Sequence, residues 1–453
     1  MSLNRELSAY IRRSSYDDLP LQTVEKAKHL ILDVLGAGIA GWQAPGCREA
    51  IQTISSWNRK TQPGATIIAH GLRSGPGDTA FVNSMMMHAL DFDDTLDSSA
   101  LHTMVSVFPA ALALGEISAA SGRQLLTSII LGVDIICRLA SAINTPLSWI
   151  RTATCGGFGA AAAAAKILNL PLEQIQHSFG IVYSQTAGNA QCLVDGSLVK
   201  RMQPAFAARA GVFSAKLAQN GITGAASPFT GEYGFFNLYE GGKCQTEKVS
   251  KALGQHFGIM DLSLKPYPSC RMTHGAIDTA LALQQSHAIN TSEIKEVTVS
   301  TSTMVAEMVG KPFQLRTDPQ VDAQFSIPYT VAVALERGKP RLEDFNKEQI
   351  GDPKIQELVK KVAVIPNANL PENDISSISI TITTKNDRTC TLKRNHLLGS
   401  PATPMSTSAC REKFDDCLNF SERDDMHQKS SAIVNLVLNL EEIDNLQQLT
   451  NLL

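Results

Sequence analysis

Histidines and carboxylates are concentrated between residues 88 and 102 of this sequence. Asp91, Asp93 and Asp94 lie within four residues, and His88 and His102 flank them. Like charges disfavour joint ionisation and imidazole titrates near neutral pH, so a loop that gathers these groups could raise the pKa of a carboxyl group or bind a cation. The alternative is a solvated loop whose Asp side chains cap the next helix. We do not predict a metal site here, because no further His or Glu stands at ligand spacing.

A pair of cations, Lys200 and Arg201, stands just before Pro204, where we predict a helix to start. Free backbone N–H groups at a helix N-terminus favour an anion, so a carboxylate could bind there. The alternative is an exposed basic pair with nothing bound, which is the commoner situation for such residues.

Residues 265–274, KPYPSCRMTH, combine two prolines with several groups that could bind or react. Rigid loops suit positioned catalytic groups. Arg271 could hold a carboxylate through two hydrogen bonds, and Lys265 or His274 could transfer a proton. Cys270 is a poor candidate nucleophile, because no local motif supplies a base. The alternative is an interdomain linker with a His before a helix.

Helices must position the 88–102 cluster and the Lys200–Arg201 pair. Residues 22–40 place apolar side chains at helical spacing, and glycines interrupt the pattern near its end. Gly, Pro or Asn residues separate most of the later segments with helical spacing. We predict these further helices at 76–90, 106–121, 123–143, 157–168, 172–187 and 204–219.

A sheet is predicted in the second half. Residues 296–303 and 377–384 alternate apolar and polar side chains, with the period of two that half-buried strands show. Residues 385–388 predict a hairpin turn into a strand at 389–394, because Asn and Asp tolerate positive φ. Helices at 273–288 and 326–337 would cover one face of this sheet.

The chain returns to a helical pattern after residue 404 and ends in an apolar helix near 430–440. We therefore predict a mainly α protein with a large all-helical domain, residues 1–261 and 405–453, and a smaller α+β lid domain, residues 262–404. The C-terminal helices are expected to pack on the first domain.

Composition excludes several classes of partner. A net charge of −3 gives no basic footprint for nucleic acid or an anionic membrane surface. Nine scattered Cys residues without CxxC spacing suit reduced thiols better than disulfides or zinc. No signal peptide is recognisable, and no apolar run is taken as a membrane span. We expect a cytoplasmic protein.

Five blocks, in this order, resemble the MmgE/PrpD family, which includes 2-methylcitrate dehydratase, cis-aconitate decarboxylase and iminodisuccinate epimerase. The resemblance runs nearly end to end and implies a large helical domain, a smaller α+β domain with the active-site cleft between them, a homodimer and no metal or organic cofactor. The blocks are HALDFDDT (88–95), TATCGGFGAAAAAAK (152–166), KRMQPAFAARAG (200–211), KPYPSCRMTHGAID (265–278) and DAQFSIPYTVAVAL (322–335).

The resemblance also implies a set of active-site residues. His102 is the first choice for the acid or base that acts at carbon, and the cationic residues are natural carboxylate anchors. The candidate catalytic residues are His102, Asp91, Lys265, His274 and Tyr329. The candidate substrate-binding residues are Thr95, Lys200, Arg271 and Arg151.

Three positions depart from the family pattern. Ile150, Gln203 and Cys270 stand where many members, or the decarboxylase-like members, carry His. Arg151, next to Ile150, could add a carboxylate contact instead. These departures argue against cis-aconitate decarboxylation and weaken the case for 2-methylcitrate dehydration as well.

The leading hypothesis is a cofactor-independent lyase that dehydrates, or decarboxylates, a small di- or tricarboxylate by removing an α-proton. An epimerase or isomerase that returns the same proton is the alternative, slightly favoured by the loss of an acid at Ile150. A non-catalytic binding protein with the same fold is the third hypothesis.

Overall fold

The structure is a computed structural model that describes residues 2–57, 64–145, 149–315 and 319–453. Contacts divide the chain into two compact units. The helical unit comprises residues 1–89, 93–262 and 406–453, and the mixed unit comprises 90–92 and 263–405. Compactness does not show that a unit folds alone, so the domain assignment stays a prediction.

Helices make up most of the helical unit. All seven predicted runs of the first half are found, with ends that differ by at most five residues. The 11-residue helices Leu3–Arg13 and Cys47–Trp57 and several shorter helices were not predicted. The helices of this part of the chain are α1 (Leu3–Arg13), α2 (Leu21–Ala40), α3 (Cys47–Trp57), α4 (Pro76–His88), α5 (Met104–Ile117), α6 (Gly122–Ser141), α7 (Arg151–Thr154), α8 (Gly156–Ile167), α9 (Leu172–Tyr183), α10 (Gln191–Asp195), α11 (Val199–Gln219), α12 (Phe235–Glu240) and α13 (Glu247–Ser250).

Small residues allow the central helices to approach closely. The alanines at 160–165 of α8 are fully buried, between α6 and α11. A Cβ atom at Gly211 would lie only 2.4 Å from the Cβ of Ala160, so glycine is required at that crossing. The Ala-rich run is therefore an ordinary core helix.

Helix α6 is long and apolar enough to cross a membrane, which the sequence analysis did not recognise. However, 89% of its most apolar window is buried inside the protein. Its Arg138 also donates to main-chain carbonyl groups of the segment 249–256. We therefore interpret α6 as a core helix.

A short antiparallel hairpin, β1 (Ala65–Ile67) and β2 (Leu72–Ser74), is the departure from an all-helical unit. Glu116 of α5 holds it: the carboxylate accepts hydrogen bonds from the backbone N–H and the hydroxyl of Thr66, both at 2.7 Å. The same carboxylate accepts from the Thr450 hydroxyl at 2.9 Å, which ties the C-terminal segment to the hairpin.

The mixed unit contains a four-stranded sheet in the order β4-β3-β5-β6, with only the β3–β4 pair parallel. The predicted strands and helices are confirmed, and Asp387 in the hairpin turn has a φ of +59°. Helices α14 and α17 pack against the sheet and each other. The elements are α14 (His274–His287), β3 (Ile294–Thr301), α15 (Thr303–Val309), α16 (Pro319–Gln324), α17 (Ile327–Arg337), α18 (Lys347–Ile350), α19 (Pro353–Val359), β4 (Val362–Pro366), β5 (Ile378–Thr384) and β6 (Thr389–Arg394).

The chain then returns to the helical unit through α20 (Thr407–Ser421), α21 (Asp424–Leu438) and α22 (Gln447–Thr450). Helix α20 packs along α2, as expected for the C-terminal segment. Between the two helices, Lys413 lies 2.5 Å from Asp33, and both side chains are buried. Burial raises the pKa of Asp33 to about 6, although the Lys413 charge opposes the shift.

Candidate active site

The loop between α4 and α5 separates the three clustered carboxylates. Asp94 turns towards the start of α5, where it accepts hydrogen bonds from Thr103 N at 3.0 Å, Thr103 Oγ1 at 2.8 Å and Met104 N at 3.0 Å. The two N–H donors are backbone groups that no turn of the helix satisfies. Asp94 is therefore the capping residue that one interpretation of the sequence expected.

Asp93 connects two imidazole rings in the helical unit. Its Oδ2 lies 2.9 Å from His88 Nδ1 and 2.9 Å from His102 Nδ1. His102 Nδ1 is also 2.7 Å from the carbonyl oxygen of Asp94. A carbonyl oxygen only accepts, so Nδ1 of His102 carries the proton and Nε2 carries the lone pair.

This arrangement leaves one atom able to exchange a proton with a substrate. Within the described part of the chain, Nε2 of His102 has no hydrogen-bond partner. The His102 side chain is 15% exposed, whereas the side chain of Asp93 is fully buried. His102 thus presents a lone pair from a ring held at its other nitrogen.

The charge states follow from burial and from the neighbouring groups. Burial, with a smaller contribution from the Lys200 charge, outweighs the opposing effect of Asp93 and lowers the pKa of His88 to about 4. Burial alone would raise the pKa of Asp93, but His102 and His88 outweigh it and hold that pKa well below its usual range. Near neutral pH, Asp93 is a carboxylate and His88 is a neutral donor.

Other predicted residues lie in the same unit. Thr95 is buried in the α4–α5 loop, and Lys200, at the start of α11, is close enough for its charge to act on His88. Arg151 takes another environment: its guanidinium donates to the Thr145 carbonyl oxygen and lies 4.0 Å from Glu240 Oε2. Its assignment as a substrate-binding residue stays a prediction.

His88, Asp93 and His102 are also potential metal ligands, with ligand atoms within 4.8 Å of one another. The present hydrogen bonds argue for protons rather than an ion between them. His102 Nδ1 must donate to satisfy the Asp94 carbonyl group, so this nitrogen has no lone pair to offer a metal.

In the mixed unit, Lys265 and Asp91 form a buried pair. Lys265 Nζ donates to Asp91 Oδ2 at 3.0 Å and to the Asp91 carbonyl oxygen at 2.8 Å. Asp91 has a φ of +53°, a conformation that Asp tolerates better than most residues. Gln324 Nε2 donates to the carbonyl oxygens of Leu90, at 2.8 Å, and Pro268, at 3.3 Å, and so holds residues 90–92 against the 265–274 segment.

Arg271 and His274 lie in the same cluster. Arg271 Nη1 donates to the Leu398 carbonyl oxygen at 2.8 Å and lies 3.3 Å from His274 Nδ1. His274 Nε2 lies 3.2 Å from the Ser269 carbonyl oxygen. Burial lowers the pKa of His274 well below its usual value, and the charges of Arg271 and Lys265 add to this effect. His274 is therefore a neutral ring with both nitrogens engaged, and its catalytic role stays a prediction.

Tyr329 is fully buried in the core of the mixed unit. Its hydroxyl donates to the Asp344 carbonyl oxygen, and its ring packs against Phe313 and Phe345. Burial raises its pKa, with the Asp344 charge adding to the shift. The structure thus gives Tyr329 a packing role, and a role in chemistry stays a prediction.

Of the three departures from the family pattern, Gln203 has a local role that its side chain provides, whereas the N–H hydrogen bonds of Ile150 and Cys270 are main-chain bonds that do not depend on the side chain. Both amide atoms of Gln203 are used: Oε1 accepts from Asn189 N, and Nε2 donates to the Asn189 carbonyl oxygen, each at 2.9 Å. Ile150 precedes α7, and its N–H donates to the Gly188 carbonyl oxygen. Cys270 N donates to the Gln324 carbonyl oxygen at 2.9 Å.

A cavity of about 500 Å³ lies along α11 in the helical unit. Its lining includes Gln203, Phe206, Arg209 and Phe213, but neither His102 nor Asp93. The group best suited to proton transfer is therefore not in this cavity, and we place the candidate site at His102 instead.

Sequence reasoning missed Asp93, His88 and Gln324 as parts of these clusters. Asp93 and His88 were visible as members of the crowded segment, but nothing in the spacing showed which carboxylate would contact His102. Gln324 lies in the last of the five blocks, and a polar side chain before the apolar run 327–335 was the available signal.

Comparisons with known proteins find matches along most of the chain. The MmgE/PrpD N-terminal domain matches residues 5–247, and the MmgE/PrpD C-terminal domain matches residues 267–440. A cis-aconitate decarboxylase-like protein of Aspergillus oryzae is 26% identical over 386 residues, 80% of each chain. Cis-aconitate decarboxylase of Aspergillus terreus is 27% identical over 380 residues, 79% of this chain and 77% of its own. The Homo sapiens cis-aconitate decarboxylase is 26% identical over 472 aligned positions, covering 100% of this chain and 94% of its own.

Proposed function

The chain belongs to the MmgE/PrpD family and is an enzyme of the lyase type, and from this premise we propose that it eliminates water from a small di- or tricarboxylate. The reaction begins with removal of a proton α to a carboxylate and uses no metal or organic cofactor. The observation that supports this most directly is the His102 ring, which is held at Nδ1 and presents Nε2.

The elimination is a balanced pair of proton transfers. His102 Nε2 takes the proton from carbon, and the electrons of the C–H bond form the new C=C bond as the C–O bond breaks. The leaving hydroxide takes a proton from an acid and departs as water. Solvent restores both groups afterwards. A positioned base of this kind contributes about 10²–10⁴-fold to the rate.

Cations are needed because negative charge develops on the carboxylate next to the carbanion. Lys200, Lys265 and Arg271 are the proposed anchors, with Thr95 as an additional hydrogen-bond partner and Arg151 as a further contact. Asp91, His274 and Tyr329 retain the catalytic roles that the family resemblance implies.

Two other reactions use the same ring. The relatives named cis-aconitate decarboxylase support carboxyl loss, in which a C–C bond breaks, CO₂ leaves and an already protonated His102 gives its proton to the carbon that carried the carboxyl group. The absence of His at positions 150, 203 and 270 argues against this reaction. An epimerase would return the proton without losing a group, and the missing acid at Ile150 slightly favours it. A non-catalytic binding protein is the remaining alternative.

Proton NMR in D₂O with 2-methylcitrate, citrate, cis-aconitate and iminodisuccinate-type compounds distinguishes these reactions. We expect alkene signals from a hydroxy acid. Loss of a carboxyl group would replace dehydration by decarboxylation, and deuterium exchange without a new skeleton would indicate an epimerase. Unchanged substrates across the panel would contradict the proposed substrate class.

His102→Asn tests the base with the active substrate. We expect turnover to fall about a hundredfold or more, with the circular dichroism spectrum and thermal unfolding unchanged. Full turnover in this variant would contradict the assignment. Substrate affinity that is retained while no turnover is seen in either protein would favour the binding protein.

We also propose that the enzyme works as a cytoplasmic homodimer and binds no nucleic acid or membrane. The homodimer and the location follow from the family resemblance and the cysteine pattern. Four apolar side chains exposed on or next to α11 support a contact between copies: Leu198, Val199, Phe206 and Phe213.

A further inference from the structure

We propose that Asp93 and His88 are positioning residues for His102: Asp93 makes the ring a stronger base, and His88 moderates this effect by sharing the same carboxylate oxygen. This inference rests on the proposed function, because it assigns the proton transfer to His102. It adds two residues that do not touch the substrate.

Different groups set the orientation of the His102 ring and its basicity. The Asp94 carbonyl oxygen, 2.7 Å from His102 Nδ1, already fixes the proton on that nitrogen. Asp93 adds a full negative charge at 2.9 Å, in a fully buried position where water does not screen it. An opposite charge at this distance stabilises the imidazolium that forms when Nε2 takes a proton.

His88 occupies the same carboxylate oxygen from the other side. Its Nδ1 is 2.9 Å from Asp93 Oδ2, and its ring centroid lies 4.7 Å from that of His102. The other oxygen, Asp93 Oδ1, is buried and has no hydrogen-bond partner among the described residues. The carboxylate is therefore stabilised through one atom, and the two rings compete for its charge.

His88 does not take up a proton near neutral pH. His88 is 3% exposed and near the charge of Lys200, both of which oppose protonation. The charged and titratable groups around His102 are Asp93 and Asp94 of the α4–α5 loop and His88 of α4. His88 therefore acts as a neutral donor that weakens the pull of Asp93 on the His102 proton.

Three variants test this with opposite expected shifts. Asp93→Asn removes the charge, so the acidic limb of the kcat/KM profile should move to lower pH by about 1 unit or more. His88→Leu removes the competing donor, so the limb should move to higher pH. His88→Asn is the matched control, because its amide can donate in place of Nδ1 and should leave the limb near that of the parent protein.

A readout independent of activity uses protein labelled with ¹⁵N-histidine, in which His102→Asn identifies the ring signals. We expect Nδ1 to carry the proton at high pH, and the protonation midpoint to show the two shifts above and no shift in His88→Asn. An unchanged midpoint in Asp93→Asn, or a proton on Nε2, would overturn the proposal.

The ring signals keep the two proposals distinguishable. If no substrate in the panel reacts, the proposed function fails, but the NMR titration still decides the roles of Asp93 and His88. If Asp93→Asn does not fold, the His88 pair decides: a shift in His88→Leu but not in His88→Asn supports the proposal, and identical titrations overturn it.

Discussion

Asp91, Asp93 and Asp94 have three different environments although they are neighbours in the chain. Asp91 pairs with Lys265 in the mixed unit, Asp93 accepts from His88 and lies 2.9 Å from His102 Nδ1, and Asp94 caps α5. Charge repulsion between these carboxylates, which the sequence suggested as one possibility, is reduced because each carboxylate has its own donors. This separation of the three carboxylates depends on the backbone turn at Asp91, where φ is positive.

His88 should make the protein sensitive to acid. Its folded-state pKa of about 4 is lower than the usual value near 6.5, so the unfolded chain binds a proton more readily. The stability that this group contributes is complete above about pH 6.5 and is lost as the pH falls towards about 4, a difference of about 3 kcal/mol.

The acid sensitivity is measured as the thermal unfolding midpoint between pH 7.5 and 4.5. We expect the midpoint to fall more steeply in the parent protein than in His88→Asn, which does not titrate in this range. The other buried groups are common to both proteins and cancel in the comparison. Parallel curves would show that His88 is not a neutral buried ring.

Long elements were predicted well and short ones were not. Helices such as α2 and α6 span several turns, so their apolar period is unambiguous, and β5 alternates over its whole length. Strand β4 has one buried residue in five, and the strands of the β1–β2 hairpin have three residues each. Such segments are set by tertiary contacts, such as those of Glu116, and carry little local signal.

Arg138 connects α6 to the segment that follows α13. It donates to the carbonyl oxygens of Val249, Lys251, Ala252 and His256, and to Asp134 Oδ2 at 2.6 Å. Lys cannot reproduce these directed bonds from one nitrogen, so Arg138→Lys should destabilise the fold. Arg138→Met leaves Asp134 buried without its partner and should cost more, about 3–5 kcal/mol.

Chemical denaturation and limited proteolysis test the role of Arg138. We expect the order of stability parent, Arg138→Lys, Arg138→Met, with new cleavage between residues 249 and 258. Arg411→Lys is the control, because its 3.8 Å pair with Asp415 is exposed and contributes little. Equal stability of all four proteins would show that the carbonyl contacts do not hold this segment.

At the scale of the whole molecule, family membership supplied what local patterns could not. The five blocks predicted a helical fold with an α+β part, and they brought Lys265, Arg271 and His274 together because these residues are close in the chain. Contacts between residues far apart in the chain were harder to predict. The contact of Gln324 with Leu90 spans 234 positions and follows only from the fold. The substrate remains a proposal, since the fold hosts several reactions.

Helix α11 has an exposed apolar face. Phe206 and Phe213 are seven residues apart, two helical turns, and are 49% and 56% exposed. Isolated exposed apolar residues are ordinary, but a row on one helix favours contact with another protein surface. If this row contacts a second copy, light scattering after size exclusion should give about twice 48.8 kDa.

Phe213→Glu should convert that dimer to a monomer, because it would place a charge in an apolar contact without a partner. Leu21→Glu, at a 74% exposed position of α2, is the matched control and should leave the mass unchanged. A monomeric parent protein would contradict the homodimer itself, whereas a dimer that survives Phe213→Glu would place the interface elsewhere. The His102 cluster lies within one chain, so we expect its ring titration to be the same in monomer and dimer.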